Sequence, residues 1–200
     1  MKLTRRFLLA AAPTTLFLPK AFAAGGMLAP RLMGNPDAKV KVHEWFSLTC
    51  YHCARFQKET FPRVKAELID TGRIAYYFHE FPLDQVALLG SMLALSLPND
   101  RYIPFCEALL SSLDRWAFAR DVDPVKQLRQ MAALAGISGT EFDRINADNK
   151  LRQMIIDTQD RDQKRYHIEG TPYFRFNTIE YKAELRSYDD FLKEVKKAEA

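Results

Sequence analysis

Two cysteines separated by two residues, Cys50 and Cys53, come just after the apolar run from Val40 to Phe46 and open a stretch with helical periodicity. A cysteine at the start of a helix lies against unpaired backbone N–H groups and the positive end of the helix dipole, and both favour the thiolate. His52 adds a positive charge beside it when protonated. Because a partner thiol follows one turn later, the pair can close a disulfide. The motif therefore predicts redox chemistry where a strand passes into a helix.

The segments around this motif predict a strand, a helix and a second strand. The first strand covers Lys39 to Phe46, the helix covers Cys50 to Ile69 with a kink at Pro62, and the second strand covers Ile74 to Phe78. Such a unit builds a parallel pair of strands, and α/β folds place their sites at the carboxyl ends of these strands. We therefore expect an α/β fold with the cysteines at the edge of its sheet.

A long helical tract follows in the middle of the chain. The periodicity predicts helices from Gln85 to Leu97, from Pro124 to Ala135 and from Asn149 to Tyr166. Between the first two, Cys106 lies on an apolar stripe with helical spacing. We expect a buried and inert thiol there, and the alternative is a third redox cysteine.

The last part of the chain predicts a return to the sheet and a final helix. Gly170-Thr171-Pro172 precedes an alternating strand from Tyr173 to Phe176. Residues 177–180 are predicted to turn, and residues 181–185 to pair back as a hairpin. Ser187 then caps a terminal helix.

Glu44 is the one charged residue on a strand face that also carries Val40, Val42 and Phe46. One interpretation places it at a sheet edge, where its carboxylate points to water. The other buries the carboxylate just ahead of the cysteines, where desolvation would raise its pKa and let it exchange a proton with Cys53. The sequence pattern leaves both interpretations open.

Charge divides the chain into a basic start and a neutral remainder. The formal net charge is +4, but Lys2, Arg5, Arg6 and Lys20 supply four of the 29 basic residues within the first 23, which contain no Asp or Glu. The other 25 basic residues match the 25 acidic ones. This balance gives no reason to expect nucleic acid or an anionic membrane as a partner.

Residues 1–23 have the pattern of an export signal. A basic start ends at Arg6, an apolar run follows from Phe7 to Leu18, and Ala21-Phe22-Ala23 matches an A-x-A cleavage site. A membrane anchor is the alternative, but this run has about 12 residues and contains Pro13, whereas roughly 20 residues are needed to span a bilayer. We predict cleavage and export into an oxidising compartment, by either the Sec or the twin-arginine route.

The ten residues from Glu44 to Cys53, EWFSLTCYHC, are similar to the active-site stretch of the DsbA family in the thioredoxin superfamily. That family has an acidic residue six positions before the first cysteine, where Glu44 stands. It also has a helical domain inserted into the thioredoxin fold and a cis-proline facing the disulfide, and residues 170–174, GTPYF, resemble that loop. The resemblance covers nearly the whole mature chain. After the predicted signal peptide at 1–23, it implies a thioredoxin-like domain at 24–84 plus 166–200 and an inserted all-helical domain at 85–165.

The resemblance also implies a role for each matching residue. Cys50 would be the nucleophile that forms a mixed disulfide with a partner, and Cys53 would be the buried resolving thiol. His52 would tune the reactivity of Cys50. Thr171 and Pro172 would bind extended backbone of the partner, and the peptide bond between them would be cis.

The implied function is that of a periplasmic thiol:disulfide oxidoreductase that introduces disulfides into exported proteins. Tyr51 departs from the family pattern, because the best-known members have proline there. The dipeptide between the cysteines adjusts redox poise in this superfamily, so Tyr51 belongs to the predicted site. We expect no cofactor and no metal, a monomer, unfolded or reduced exported proteins as substrates, and a DsbB-like membrane oxidase as partner.

Three other interpretations of the motif remain. The first is a disulfide isomerase or reductase on the same fold, although few residues before the first strand are available for a dimerisation stalk. The second is a soft-metal module that uses Cys50, His52 and Cys53, for which no fourth ligand is evident. The third is a structural disulfide, which would add little stability because the loop between the two cysteines is so short.

Overall fold

The computed structural model describes residues 28–181 and 187–200. This part of the chain contains the strands β1 Arg31–Gly34, β2 Val40–Phe46, β3 Ile74–Glu80, β4 Tyr173–Phe176 and β5 Ile179–Tyr181. They form one mixed sheet in the order β1-β3-β2-β4-β5. β2 lies at its centre, parallel to β3 and antiparallel to β4, while β1 and β5 pair antiparallel with β3 and β4.

Helices pack around this sheet and connect its strands. In the described residues they are α1 Tyr51–Glu59, α2 Phe61–Val64, α3 Gln85–Ser96, α4 Asn99–Ser111, α5 Leu113–Trp116, α6 Pro124–Leu134, α7 Gly139–Asn146, α8 Asn149–Tyr166 and α9 Tyr188–Glu199. The helices α3 to α8 all lie between β3 and β4 in the chain. The helical tract predicted from the sequence is therefore present as an insertion between two strands of the sheet, β3 and β4.

The helix predicted over Cys50 to Ile69 is interrupted. α1 ends at Glu59, α2 begins at Phe61, and residues Lys65–Ile69 form a π-helical turn. Pro62 lies in the first turn of α2, where its missing N–H costs no helical hydrogen bond. Thr60 still donates to the carbonyl of Phe56, and Val64 donates to that of Thr60, so the predicted helix is present as consecutive helical segments with a break beside Pro62, where the kink was predicted.

The hairpin after the proline loop is tighter than the sequence predicted. β5 begins at Ile179, so the turn consists of Asn177 and Thr178. Asn177 has a φ of 54°, a left-handed conformation that asparagine tolerates better than most residues. The prediction of a longer turn was wrong, and residues 182–185 of the predicted second strand lie outside the described residues.

Aromatic side chains join the sheet to α1 and α9 on one face. The ring of Phe174 in β4 lies 4.9 Å from that of Phe56 in α1 and 6.2 Å from that of Phe191 in α9, centroid to centroid. Phe191 also contacts Phe176, and its side chain is fully buried. This layer covers the face of β2 that carries Glu44, so the side chain of Glu44 is buried.

The inserted helices have their own centre in α3. All its residues from Ala87 to Leu95 are buried, and the helix contacts α4, α6, α7 and α8. A helix that is apolar on all sides has to be enclosed by other elements. The apolar core of the insertion is continuous with that of the sheet.

The architecture agrees with the predicted α/β class. The predicted boundaries at residues 84, 85, 165 and 166 stay a prediction, and the predicted signal peptide at 1–23 lies outside the described residues. Among the helices that the structure describes, none combines the length and apolar character needed to cross a membrane.

Candidate active site

The loop after β2 places Cys50 at the start of α1. Cys50 donates its backbone N–H to the carbonyl of Ser47 at 3.2 Å, and the Thr49 hydroxyl donates to Oδ2 of Asp84 at 2.6 Å. Oδ1 of the same carboxylate accepts from the N–H of Ala87 at 2.8 Å and so caps α3. One aspartate thus fixes both the loop before the nucleophile and the first turn of the helical insertion.

Cys50 is the N-cap residue of α1, and its sulfur makes two contacts. Sγ accepts the backbone N–H of Cys53 at 3.3 Å, and the thiol donates to the carbonyl oxygen of Thr171 at 3.2 Å. The peptide bond between Thr171 and Pro172 is cis, as the resemblance implied. The strand-to-helix loop and the proline loop, which are 121 residues apart in sequence, therefore meet at one sulfur.

The two cysteines differ in accessibility. Both are free thiols in the structure. The solvent-exposed fraction of Cys50 is 7%, while that of Cys53 is only 1%, and Cys53 lies within the apolar core. A partner sulfur can therefore reach Cys50 more readily than Cys53, which is the order that the predicted roles require.

Hydrogen bonds hold the pKa of Cys50 far below that of an ordinary thiol. The largest contribution is the hydrogen bond from the Cys53 side chain, and burial opposes it. The Thr171 side chain and the backbone N–H groups of Cys53 and His52 lower the pKa further, to about 6 from 9.0. The two N–H groups lie at the helix start, where the helix dipole also favours negative charge. Cys50 is therefore mostly thiolate at neutral pH.

Burial has the opposite effect on the groups behind Cys50. It raises the pKa of Cys53 well above 9.0, and the hydrogen bond to Cys50 and the negative charges of Cys50 and Glu44 add to this effect. Glu44 is 2% exposed, and burial raises its pKa to about 8 even though the Tyr76 hydroxyl donates to Oε2 at 2.7 Å. Of the two interpretations of Glu44, the structure thus agrees with the buried one. At neutral pH its carboxyl group holds a proton.

Tyr51 and His52, the residues between the cysteines, are both exposed. The Tyr51 hydroxyl donates to Oδ1 of Asp114 at 2.8 Å, and its ring stacks on that of Phe118 with centroids 5.1 Å apart. His52 acts on Cys50 through its backbone N–H. A contribution from the charge of its imidazole stays a prediction.

Thr171 presents a buried hydroxyl beside the nucleophile. Its Oγ1 is buried and has no hydrogen bond partner in the structure. An unsatisfied buried hydroxyl costs on the order of 1–3 kcal/mol. A negative sulfur at Cys50 is an acceptor for this group, which explains why Thr171 lowers the pKa of the cysteine.

All the residues predicted for the site are thus brought to the carboxyl end of β2 or to the proline loop that meets it. Sequence analysis missed Asp84, Asp114 and Phe118. Asp84 precedes a helical apolar run, which is a capping signal, but its bond to Thr49 leaves no local trace. Asp114 and Phe118 carried no signal at all, because their contact with Tyr51 bridges 63 residues or more.

The soft-metal interpretation finds no support in the geometry. Across residues 28–181 and 187–200, no three side chains of His, Cys, Asp or Glu are arranged to hold a metal ion. Cys53 instead contacts Cys50, and Cys50 contacts the carbonyl of Thr171.

The fold and site together define a thioredoxin-fold protein with a helical insertion and a redox-type cysteine pair. The family described as Thioredoxin matches residues 28–197. The crystal structure of Wolbachia pipientis alpha-DsbA1 superposes with a TM-score of 0.78 and 28% identity, over 85% of this chain and 90% of that one. A protein-disulfide isomerase from Novosphingobium aromaticivorans has the same fold, with a TM-score of 0.73 and 21% identity, over 84% of this chain and 99% of that one.

A curated relative is named a protein-disulfide oxidoreductase. The protein from Rickettsia prowazekii is 31% identical over 168 residues, which are 84% of this chain and 60% of the relative. The chain spans less than two thirds of the length of the Rickettsia relatives that it matches, from 57% to 61% for three of them. The chain belongs to the thioredoxin family, as a DsbA-like member, and the predicted thioredoxin fold with a helical insertion is confirmed.

Proposed function

We propose that this protein is a thiol:disulfide oxidoreductase that works as an oxidase and introduces disulfides into exported proteins. The observation that carries this proposal is the acidic thiol of Cys50, with a pKa of about 6 at the start of α1. At pH 7, lowering a thiol pKa from 9 to 6 stabilises the reduced protein by about 1.4 kcal/mol, which corresponds to about 30 mV for a two-electron couple. A protein that is stabilised when reduced gives its disulfide away.

The reaction begins with the Cys50–Cys53 disulfide. A substrate thiolate attacks Sγ of Cys50, so that a mixed disulfide forms and Cys53 leaves as a thiolate. A second substrate thiolate then attacks the substrate sulfur of the mixed disulfide and releases Cys50 as a thiolate. Two electrons pass from the two substrate thiols to the two cysteines of the protein. The substrate keeps the new disulfide.

The buried groups behind the nucleophile manage the proton of Cys53. The Cys53 thiolate is unfavourable where it forms, because its surroundings raise its pKa well above 9.0. Glu44 holds a proton at neutral pH and lies close enough for its charge to act on Cys53. We assign to Glu44 the transfer of a proton to the leaving Cys53, directly or through water.

The residues around Cys50 place the partner and adjust the nucleophile. Thr171 and Pro172 present backbone beside the sulfur, where an extended substrate segment can pair with it. His52 and Tyr51 supply the exposed surface of the motif and adjust its redox poise. The protein acts in the periplasm after removal of residues 1–23, as a monomer, and a DsbB-like membrane oxidase restores its disulfide.

Three measurements on the purified protein test this proposal. The ultraviolet absorbance of the Cys50 thiolate should titrate near pH 6, the equilibrium with glutathione should favour the reduced protein, and the oxidised protein should promote disulfide formation in reduced, unfolded ribonuclease A. A Cys50 pKa near 9 would remove the basis for an oxidase. An oxidised form more stable than the reduced form would indicate a reductase. Faster repair of scrambled ribonuclease than oxidation of the reduced one would identify an isomerase.

A further inference from the structure

The side chain of Tyr51 links the active-site motif to one short segment of the helical insertion. Its hydroxyl donates to Asp114 at 2.8 Å, and its ring stacks on Phe118 at an interplanar angle of 20°. Both rings remain about half exposed, at 54% for Tyr51 and 48% for Phe118. Two interactions of different kinds therefore hold a surface tyrosine that burial alone would leave mobile.

Asp114 and Phe118 belong to a segment of the insertion that is anchored by buried side chains. Asp114 lies in α5, between Leu113 and Trp116, whose side chains are 3% and 1% exposed. Nε1 of Trp116 donates to the carbonyl of Leu109 at 2.7 Å and so ties α5 to α4. Phe118 follows Trp116 by two residues. A side chain bound to this segment is thus bound to the core of the insertion.

Tyr51 is the first residue of α1, and the groups that act on the nucleophile follow it at once. The backbone N–H groups of His52 and Cys53 face Sγ of Cys50. The orientation of these N–H groups depends on the backbone of the first helical turn, which begins at Tyr51. Helix ends fray unless side-chain contacts fix them.

We propose that Asp114 and Phe118 are positioning residues, which hold the Tyr51 side chain and thereby keep the first turn of α1 in the arrangement that directs its N–H groups at Cys50. This inference rests on the proposed thiol-exchange function and adds the helical insertion to the groups that set the reactivity of its nucleophile. Neither residue touches the sulfur.

The charge of Asp114 permits a sharp test, because charge and position predict opposite results. A carboxylate near the site repels a thiolate. If Asp114 acted only through its charge, removing it would lower the pKa of Cys50. If Asp114 acts by holding Tyr51, removing it loosens the first turn of α1 with its N–H groups, and the pKa of Cys50 rises. Phe118 carries no charge, so a substitution there changes position alone.

The experiment compares three variants with the parent protein, all as the full-length reduced protein: Phe118→Ala, Asp114→Ala and Asp114→Asn. The pKa of Cys50 is read from thiolate absorbance, and the redox equilibrium is measured against glutathione. We expect both alanine variants to raise the pKa by about half a unit, which shifts the glutathione equilibrium at pH 7 about threefold toward the disulfide form. Asp114→Asn keeps an acceptor oxygen for the Tyr51 hydroxyl but removes the negative charge. Its Cys50 pKa should therefore equal that of the parent or lie below it.

Leu134→Ala serves as the matched control, since Leu134 is a 91% exposed residue of α6 in the same insertion. It should leave the pKa and the equilibrium unchanged, and circular dichroism confirms that each variant is folded. A pKa that falls in Asp114→Ala, or that stays within about 0.1 unit of the parent in Phe118→Ala, would overturn the inference. Failure of the proposed function is seen separately, as a parent protein that does not oxidise thiols.

Discussion

The active site and the boundary between β3 and the helical insertion each hold a cysteine next to a buried glutamate that is hydrogen-bonded to a tyrosine. At the active site, Tyr76 donates to Glu44 at 2.7 Å, and at the boundary Tyr102 of α4 donates to Glu80, the last residue of β3, at 2.5 Å. Burial raises the pKa of both glutamates. The same three residue types are thus assembled twice, with similar effects on the carboxyl groups.

The cysteines differ because of where each stands in its helix. Cys50 caps α1, where a hydrogen bond from the Cys53 side chain, then the Thr171 side chain and the N–H groups of Cys53 and His52, lower its pKa to about 6. Cys106 lies inside α4, fully enclosed, and burial raises its pKa well above 9.0. A buried carboxyl group and a tyrosine do not make a thiol reactive. Position at the start of a helix does, because there the sulfur meets a second thiol one turn later as well as backbone N–H donors that no helical carbonyl occupies.

The largest test of this comparison exchanges each sulfur for oxygen. Cys50→Ser should abolish the oxidation of substrate thiols, because serine forms no disulfide. Cys106→Ser should keep the rate and lower the free energy of unfolding by roughly 1–2 kcal/mol, because it places a hydroxyl in an apolar core. Ribonuclease oxidation and urea unfolding measure the two effects. Loss of oxidation in Cys106→Ser would give the insertion a part in the exchange.

The two glutamates should make the reduced protein less stable as pH rises, and Glu44→Gln separates this effect from that of Cys50. Glu44 has a pKa of about 8 when folded and 4.5 ordinarily, so between these values the folded state keeps a proton that the unfolded state has released. The free energy of unfolding then falls by up to about 5 kcal/mol from pH 4.5 to 8. Glu44→Gln should remove this slope, and Glu80→Gln a slope of the same sign. Urea unfolding between pH 5 and 8 would contradict this if Glu44→Gln kept the slope of the parent.

The two thiols should change the stability of the reduced protein in opposite directions. The pKa of Cys50 is about 6 when folded and 9.0 ordinarily, so its contribution grows from pH 6 to 9, by up to about 4 kcal/mol, and is lost as pH falls through 6. The raised pKa of Cys106 makes stability fall above pH 9. Comparing Cys50→Ala and Cys106→Ala across pH 6 to 10 separates the two. Equal slopes in both variants would mean that the helix start has no special effect.

A smaller effect is expected from the buried hydroxyl beside the nucleophile. Thr171→Val removes a donor to the thiolate and should raise the pKa of Cys50 by about half a unit, as measured from thiolate absorbance. Thr158→Val is the control, since Thr158 is also buried but donates to Met154 within α8. It should cost stability and leave the pKa of Cys50 unchanged. A similar shift in both variants would remove Thr171 from the site.

Much of this arrangement could be predicted because its signals are local. The period of two located β2, and serine capping marked the start of α9 at Ser187. The cysteine motif located the nucleophile through its place between strand and helix. Such features depend on neighbours a few residues away, and the printed sequence contains them.

The features that could not be predicted depend on contacts between distant segments. The hydrogen bond from Trp45 to Asp162, at 2.8 Å, joins residues 117 apart and anchors α8 to the sheet. The bond from Tyr51 to Asp114 is of the same kind. Even the burial of Glu44 followed only when α1 and α9 were seen to cover its face. A single sequence gives the residue types for these contacts but not their partners.

The bond between Thr49 and Asp84 has a mechanical consequence. Because the same carboxylate also caps α3, any rotation of the helical insertion against the sheet would pull on the loop that carries Cys50. The Asp84 carboxylate therefore couples the position of α3 to that of the loop before the nucleophile. A displacement of α3 would shift the reactive sulfur with it.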